Sequence, residues 1–165
     1  LNGAPEGLID SYEAERRPIA AGVLGLSTDL LAKALTRQGM KRGREARQLD
    51  LGYQDSPLSL DLGVAAKIAP GDRAPDAPCH DRDGQPVRVF DLLRGPRWTV
   101  LGATTLASRP GLVVADPVDT DGWFADAYGL PRGGFALVRP DGHVATVGRT
   151  GDEAAVEAYL AKVGC

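Results

Sequence analysis

A chain of 165 residues, 43% apolar and 25% charged, has the make-up of a soluble globular protein and can bury a stable core without covalent staples. Its net charge of −3, with basic residues shared between both halves, argues against a general polyanion partner such as nucleic acid. No apolar run approaches the ~20 residues of a membrane span, the N-terminus has neither region of a signal peptide, and two cysteines, Cys79 and Cys165, are too sparse for a disulfide framework, so reduced thiols in a cytoplasmic protein are expected.

In chain order, residues 5–38 are helical in pattern. Leu8, Ile9 and Tyr12 form one apolar face, and Pro18 predicts a break, because an interior proline removes a helical donor. One helix should therefore end near Arg16, and a second should run from Pro18 to Arg37, stopped by Gly39. Ile19, Val23, Leu26, Leu30, Leu31 and Leu35 give the second helix a stripe at spacings of three and four. Gly22 and Gly25 each weaken it by about 1 kcal/mol relative to Ala; on this reading they mark close packing against a segment outside the chain. The run RQGMKRGREAR (37–47) reads as a solvated helix end or linker, with an anionic partner as the weaker alternative. A strand is expected at Leu49–Tyr53, then a turn at Ser56-Pro57, within a connector over 49–70. The chain begins at Leu1 rather than at a methionine, so a piece of a longer gene product is expected.

From residue 71 the pattern is α/β. Asp83-Gly84 predicts a tight turn and residues 90–94 a helical turn ended by Gly95-Pro96. Strands are expected at Trp98–Ala103 and Leu112–Ala115, separated by a loop or one short helical turn. WFADAYGL predicts a two-turn helix with Trp123, Phe124 and Ala127 inward and Gly129 as its left-handed stop. Alternating apolar residues on either side of Pro140-Asp141-Gly142 predict a hairpin of Phe135–Arg139 with His143–Val147. A last helix should open on a capping box, Thr150 as N-cap and Glu153 three residues on, and bury Val156, Leu160 and Val163 with Tyr159 beside them. Strand, helix, strand, hairpin and closing helix is the order of a thioredoxin-like fold.

The phrase GLIDSYEAERRPIAAGVLGLS resembles the helical segment that closes the flavin-binding part of FAD-dependent aromatic hydroxylases, through Leu8, Ile9, Asp10, Ser11, Tyr12, Glu15, Arg16 and Pro18. LGYQDSPLS is similar to the family's connector, residues 71–102 to the opening of its thioredoxin-like C-terminal domain, and VRPDGHVA (138–145) to its usual ending. Without the resemblance, Glu13, Glu15, Arg16 and Arg17 would read simply as a solvated helix face. The resemblance implies a class A flavoprotein monooxygenase that hydroxylates phenols or aromatic polyketides with NAD(P)H and FAD. It also implies a division into 1–48, the end of a flavin-binding domain; 49–70, a connector; and 71–165, the thioredoxin-like domain. FAD would be bound by an N-terminal domain upstream of Leu1, the partner of this chain. The chain alone would then be inactive and hold no cofactor, its last domain serving stability or assembly, with a homo-oligomer possible in the intact protein.

No catalytic, cofactor-binding or metal-binding residue is assigned within the chain. A thioredoxin-type thiol pair belongs at Thr104–Ser108, after the central strand, and TTLAS contains no cysteine. Gly133-Gly134 stands where the usual proline precedes the hairpin. Cys79 and His80, with Asp81 and Asp83, lack the paired spacing of a zinc site, and His143 is expected to face solvent from the hairpin. DPVDTDG (116–122) lacks the closing glutamate of a calcium loop, and neither a Gly-x-Gly-x-x-Gly fingerprint nor a nucleophile elbow is present. The rival readings are an independent thioredoxin-like binding or oligomerisation module, and a degenerate thiol enzyme acting through Cys79.

Overall fold

The structure, a computed structural model, describes residues 5–35 and 51–165, with side chains described at 5–25 and 51–165. The basic run 37–47, the expected stop at Gly39 and Leu49 lie outside the described residues, as do the side chains of Leu26, Leu30, Leu31 and Leu35.

Helix α1 (Glu6–Leu35) is continuous through Pro18, where two helices were expected. The proline costs one hydrogen bond, but Pro18 and Ala14, whose carbonyl loses its donor, both lie on the exposed side, so water can take the donor's place. The face turned inward is Leu8, Ser11, Glu15 and Ile19, at spacings of three and four. Leu8, Ile9 and Tyr12 therefore do not form one buried face: Ile9 is 65% and Tyr12 66% exposed.

The connector carries no strand at Leu51–Tyr53. Its backbone is satisfied piecemeal instead: Tyr53 N–H donates to the Gly71 carbonyl (2.8 Å), Leu60 N–H to Ala145 (2.8 Å) and Lys67 N–H to Tyr128 (3.1 Å). The expected turn at Ser56-Pro57 is present, closed by Ser56 N–H to Tyr53 O and Ser59 N–H to Ser56 O.

A small antiparallel hairpin, β1 (Pro78–His80) with β2 (Pro86–Arg88), follows. Its turn is fixed by the Asp81 carboxylate, which accepts from the N–H groups of Asp83 and Gln85 (2.9 and 2.8 Å), with Gly84 at φ +77°. After a single turn, α2 (Val89–Leu92), strands β3 (Trp98–Gly102), β4 (Leu112–Ala115), β5 (Gly134–Val138) and β6 (Val144–Arg149) form one sheet in the order β4-β3-β5-β6. β3 is parallel to β4 and antiparallel to β5, and β5 is antiparallel to β6. The mixed α/β class expected from the sequence is present.

Two-residue periodicity sorts the sheet's side chains onto two faces. Leu101, Ala136 and Val138 join a cluster with Cys79, Val89, Phe124 and Tyr128, whereas Val100, Phe135 and Leu137 join one with Leu58, Val156, Tyr159 and Leu160. On the first face lies α3 (Trp123–Tyr128), which differs from expectation. Phe124 and Tyr128, four apart, stack at 4.5 Å and point inward, the Tyr128 hydroxyl donating to the Pro75 carbonyl (2.9 Å). Trp123, one residue off that face, is 58% exposed. Gly129 closes the helix at φ +60°, as expected.

The second face is covered by α4 (Glu153–Val163), whose Val156, Tyr159, Leu160 and Val163 are buried as expected. Its capping box is not formed. The Thr150 hydroxyl donates to the Gly133 carbonyl (3.2 Å), and the chain turns at Gly151 (φ +104°) so that Asp152 takes the N-cap position. The Glu153 carboxylate accepts from Gly151 N–H (2.7 Å). Among the described residues, no helix is long and apolar enough to cross a membrane.

Candidate functional site

A buried polar cluster joins three segments that are remote in sequence: α1, the turn at 53–56 and the β5–β6 hairpin. Arg139, at the end of β5, is 6% exposed. Its guanidinium makes a two-pronged contact with the Glu15 carboxylate, 124 residues away, at 2.5 and 3.0 Å. It also donates to Asp141 across the hairpin turn (2.6 Å). Ser56 donates its hydroxyl to the same Glu15 oxygen (2.5 Å). The guanidinium lies over the Tyr53 ring at 5.6 Å, and Tyr53 packs on the His143 ring at 4.5 Å. A buried charge is stable only when paired and hydrogen-bonded, and each of these conditions is met here.

The electrostatics follow. Burial would raise the Glu15 pKa, but the hydrogen bonds from Arg139 and Ser56 outweigh it and hold the carboxyl below the ordinary glutamate range. Burial also works against the Arg139 cation; Glu15 and Asp141 overcome it and push its pKa up. Asp141 is held at about 2 against burial by the His143 side chain, the Arg139 charge and the His143 backbone N–H. The ring contact, Nδ1 to Oδ1, is 3.4 Å and neither ring nitrogen makes a formed hydrogen bond, so Arg139 and the N–H at 3.2 Å carry the greater weight.

Two expectations are corrected by this cluster. His143 is buried at 6% exposure rather than facing solvent, because Tyr53 from the connector covers its side of the hairpin. Glu15 does not belong to the solvated α1 face that its charged neighbours suggested. Arg139, Asp141, Ser56 and Tyr53 read in the sequence only as turn or strand-end residues, since no local spacing signals a pair 124 positions apart. The available clue was Glu15 within the family-like phrase.

Elsewhere, residues 103–111 after β3 form a loop, and no helix opens there. Cys79 is buried in the core, and burial together with Asp119, Asp76 and Asp91 raises its thiol pKa, the reverse of what an activated thiolate requires. Burial likewise raises Cys165. His80 Nδ1 lies 3.5 Å from the Thr120 hydroxyl, and Asp81 is engaged in its own turn. Among the described residues, no group of three or more His, Cys, Asp or Glu side chains comes together around a possible ion.

A cleft of about 390 Å³ separates the β1–β2 hairpin from the 116–122 loop, lined by Cys79, His80, Arg88, Asp91, Asp119 and Asp121 among others. It does not fit FAD. Its three carboxylates would repel a pyrophosphate, and Arg88 is already paired with Asp76 at 2.5 Å. The N-terminus of α3 is occupied as well, since Asp119 accepts from Ala125 N–H (2.7 Å).

Comparison with known proteins places these features. The family model described as aromatic-ring hydroxylase, C-terminal, matches residues 67–163. A flavin-dependent monooxygenase of Mycobacteroides abscessus is 38% identical over 164 residues, covering 99% of this chain and 32% of the relative. A 4-methyl-5-nitrocatechol 5-monooxygenase of a Burkholderia species is 34% identical, over 86% of this chain and 32% of its own length. The chain thus spans about a third of the curated relatives it matches. Among solved structures, aklavinone-11 hydroxylase in a ternary complex with FAD and aklavinone is similar in fold, with a TM-score of 0.73 at 24% identity over 97% of this chain and 36% of that one. The anhydrotetracycline hydroxylase OxyS from Streptomyces rimosus aligns with a TM-score of 0.59 at 27% identity, over 98% and 36%.

Proposed function

Because the chain belongs to the aromatic-ring hydroxylase C-terminal family, we propose that it is the non-catalytic C-terminal portion of an FAD- and NAD(P)H-dependent hydroxylase of phenols or aromatic polyketides, working in the cytoplasm. Residues 1–48 close a flavin-binding domain that precedes Leu1, 49–70 connect, and 71–165 form a thioredoxin-like domain without a thiol site. The thioredoxin-like assignment is supported by the β4-β3-β5-β6 order with α4 on one face. The structural role is supported by TTLAS at the place of the thiol pair and by a Cys79 whose surroundings disfavour the thiolate.

The observation that carries the reading is the coverage: relatives called monooxygenases are about three times as long, and this chain matches a single third of each. The preceding domain packs, on this reading, against the outward face of α1, where Ile9 and Tyr12 are exposed. In the intact enzyme, FAD supplies the oxygen-transfer chemistry from that domain. The residues described here hold α1 in place and keep the far end of the molecule folded. Assembly into a homo-oligomer belongs to the same proposal and is read from the mass of the intact protein.

Reading the gene upstream of Leu1 tests this. An open frame encoding a strand followed by Gly-x-Gly-x-x-Gly is expected. A start codon directly before Leu1 would overturn it and favour an independent binding module.

A further inference from the structure

We infer that Arg139 is a positioning residue: its guanidinium, held between Asp141 on its own hairpin and Glu15 on α1, sets the roll of α1 about its axis and so selects the face that α1 presents outward. The inference rests on the proposed function only for what that outward face receives.

The geometry is directional. A two-pronged guanidinium–carboxylate contact fixes the plane of both groups, which a point charge does not. Asp141 holds the guanidinium from the hairpin side, and the Tyr53 ring beneath it, backed by His143, blocks it from swinging away. Ser56 fixes the carboxylate from the connector. The rest of the inward face makes contacts without a fixed direction: Ser11 is buried but donates its hydroxyl within α1 to the Leu8 carbonyl, Leu8 packs on the α4 cluster, and Ile19 is partly buried. The ion pair is therefore the directional contact that distinguishes one roll of the helix from another.

The neighbouring residues penalise the alternatives. Successive helical positions are turned by about 100°, so a roll by one residue would replace Glu15 with either Ala14 or Arg16. Ala14 would remove two of the three hydrogen bonds that the buried Arg139 guanidinium donates to carboxylates, leaving only the one to Asp141, and Arg16 would set two cations against each other. Glu13, the other nearby acid, is occupied by Arg17 at 3.3 Å on the solvent side. The titratable and hydrogen-bonding groups around Glu15 are Arg139, Asp141 and His143 from the hairpin, with Ser56 and Tyr53 from the connector and Tyr159 from α4.

Amide hydrogen exchange of this chain, corrected for the intrinsic effect of pH on exchange, tests the inference. Glu15→Gln and Arg139→Gln should each speed exchange in α1 residues 8–19 by about tenfold or more, leaving β3 and β5 protected. Arg139→Lys should fail to restore protection. In the unaltered chain the carboxylate contributes fully above the ordinary glutamate pKa, and protection should be lost only as pH falls through the lower folded value; Arg139→Gln should lack that step. Unchanged α1 protection in Glu15→Gln, full restoration by lysine, or a step at the ordinary glutamate pKa would each overturn the inference. Should Arg139→Gln disturb the sheet as well, Glu15→Gln decides, since Glu15 lies on α1 and not in the hairpin whose strands build the sheet. A start codon before Leu1 would remove the proposed function and leave this result standing.

Discussion

Phe135→Ala is expected to destabilise the chain by about 3–5 kcal/mol, the cost of truncating a fully buried aromatic side chain in a sheet that cannot collapse around the void. Phe135 is 0% exposed in the second strand of the sheet's centre, packed with Val100, Leu137, Val156 and Leu160. Backbone pairing holds it on both sides, to Gly102 of β3 and Gly148 of β6, so the strands cannot close in to fill the space. The urea midpoint should fall with an unchanged slope, since the surface exposed on unfolding is nearly the same. A shift below about 1 kcal/mol would mean that the sheet relaxes around position 135 far more than its paired neighbours allow.

Gly148→Ala is expected to destabilise in the opposite way, by overfilling the same place. A Cβ at position 148 would come within 2.4 Å of the Phe135 ring, which therefore has to move. The ring is enclosed by the cluster on α4's face, so no free volume receives it, and the cost should be about 1–3 kcal/mol. The two sites share one space, and their effects should not add. Gly148→Ala combined with Phe135→Leu should be more stable than the sum of the single changes predicts. Additivity within about 0.5 kcal/mol would show that the ring does not fill the space above Gly148.

These residues show what a sequence can and cannot reveal. The hairpin around Asp141-Gly142, the strand Leu112–Ala115 and the apolar face of α4 were legible because turn chemistry and period-two or period-four patterns are local. Pro18 misled because a break depends on whether the freed carbonyl can be solvated, and its exposure is set by how α1 docks. Trp123 was expected inward, whereas α3 turns Phe124 and Tyr128 inward, with the Tyr128 hydroxyl reaching Pro75. Thr150 satisfies the capping pattern in sequence, yet Gly133, brought alongside by the sheet, takes its hydroxyl. The Glu15–Arg139 pair is the extreme case: Glu15 reads in sequence as part of a solvated helix face and Arg139 as a strand end, and their union exists only once α1, the connector and the hairpin are assembled.

At the place where a thioredoxin-type thiol pair would stand, TTLAS has no thiol to offer. The joint between α1, the connector and the hairpin was not legible, because no local motif carries it. That joint gives the family-like phrase a physical meaning: Ser11 and Glu15 look toward this chain's own domain, while Ile9 and Tyr12 look away from it.

Titration of the purified chain with FAD, followed by flavin absorbance after gel filtration, tests the central claim most directly. The account predicts that no stoichiometric flavin stays with the chain. Retention of one FAD per chain, saturable and resistant to filtration, would contradict it.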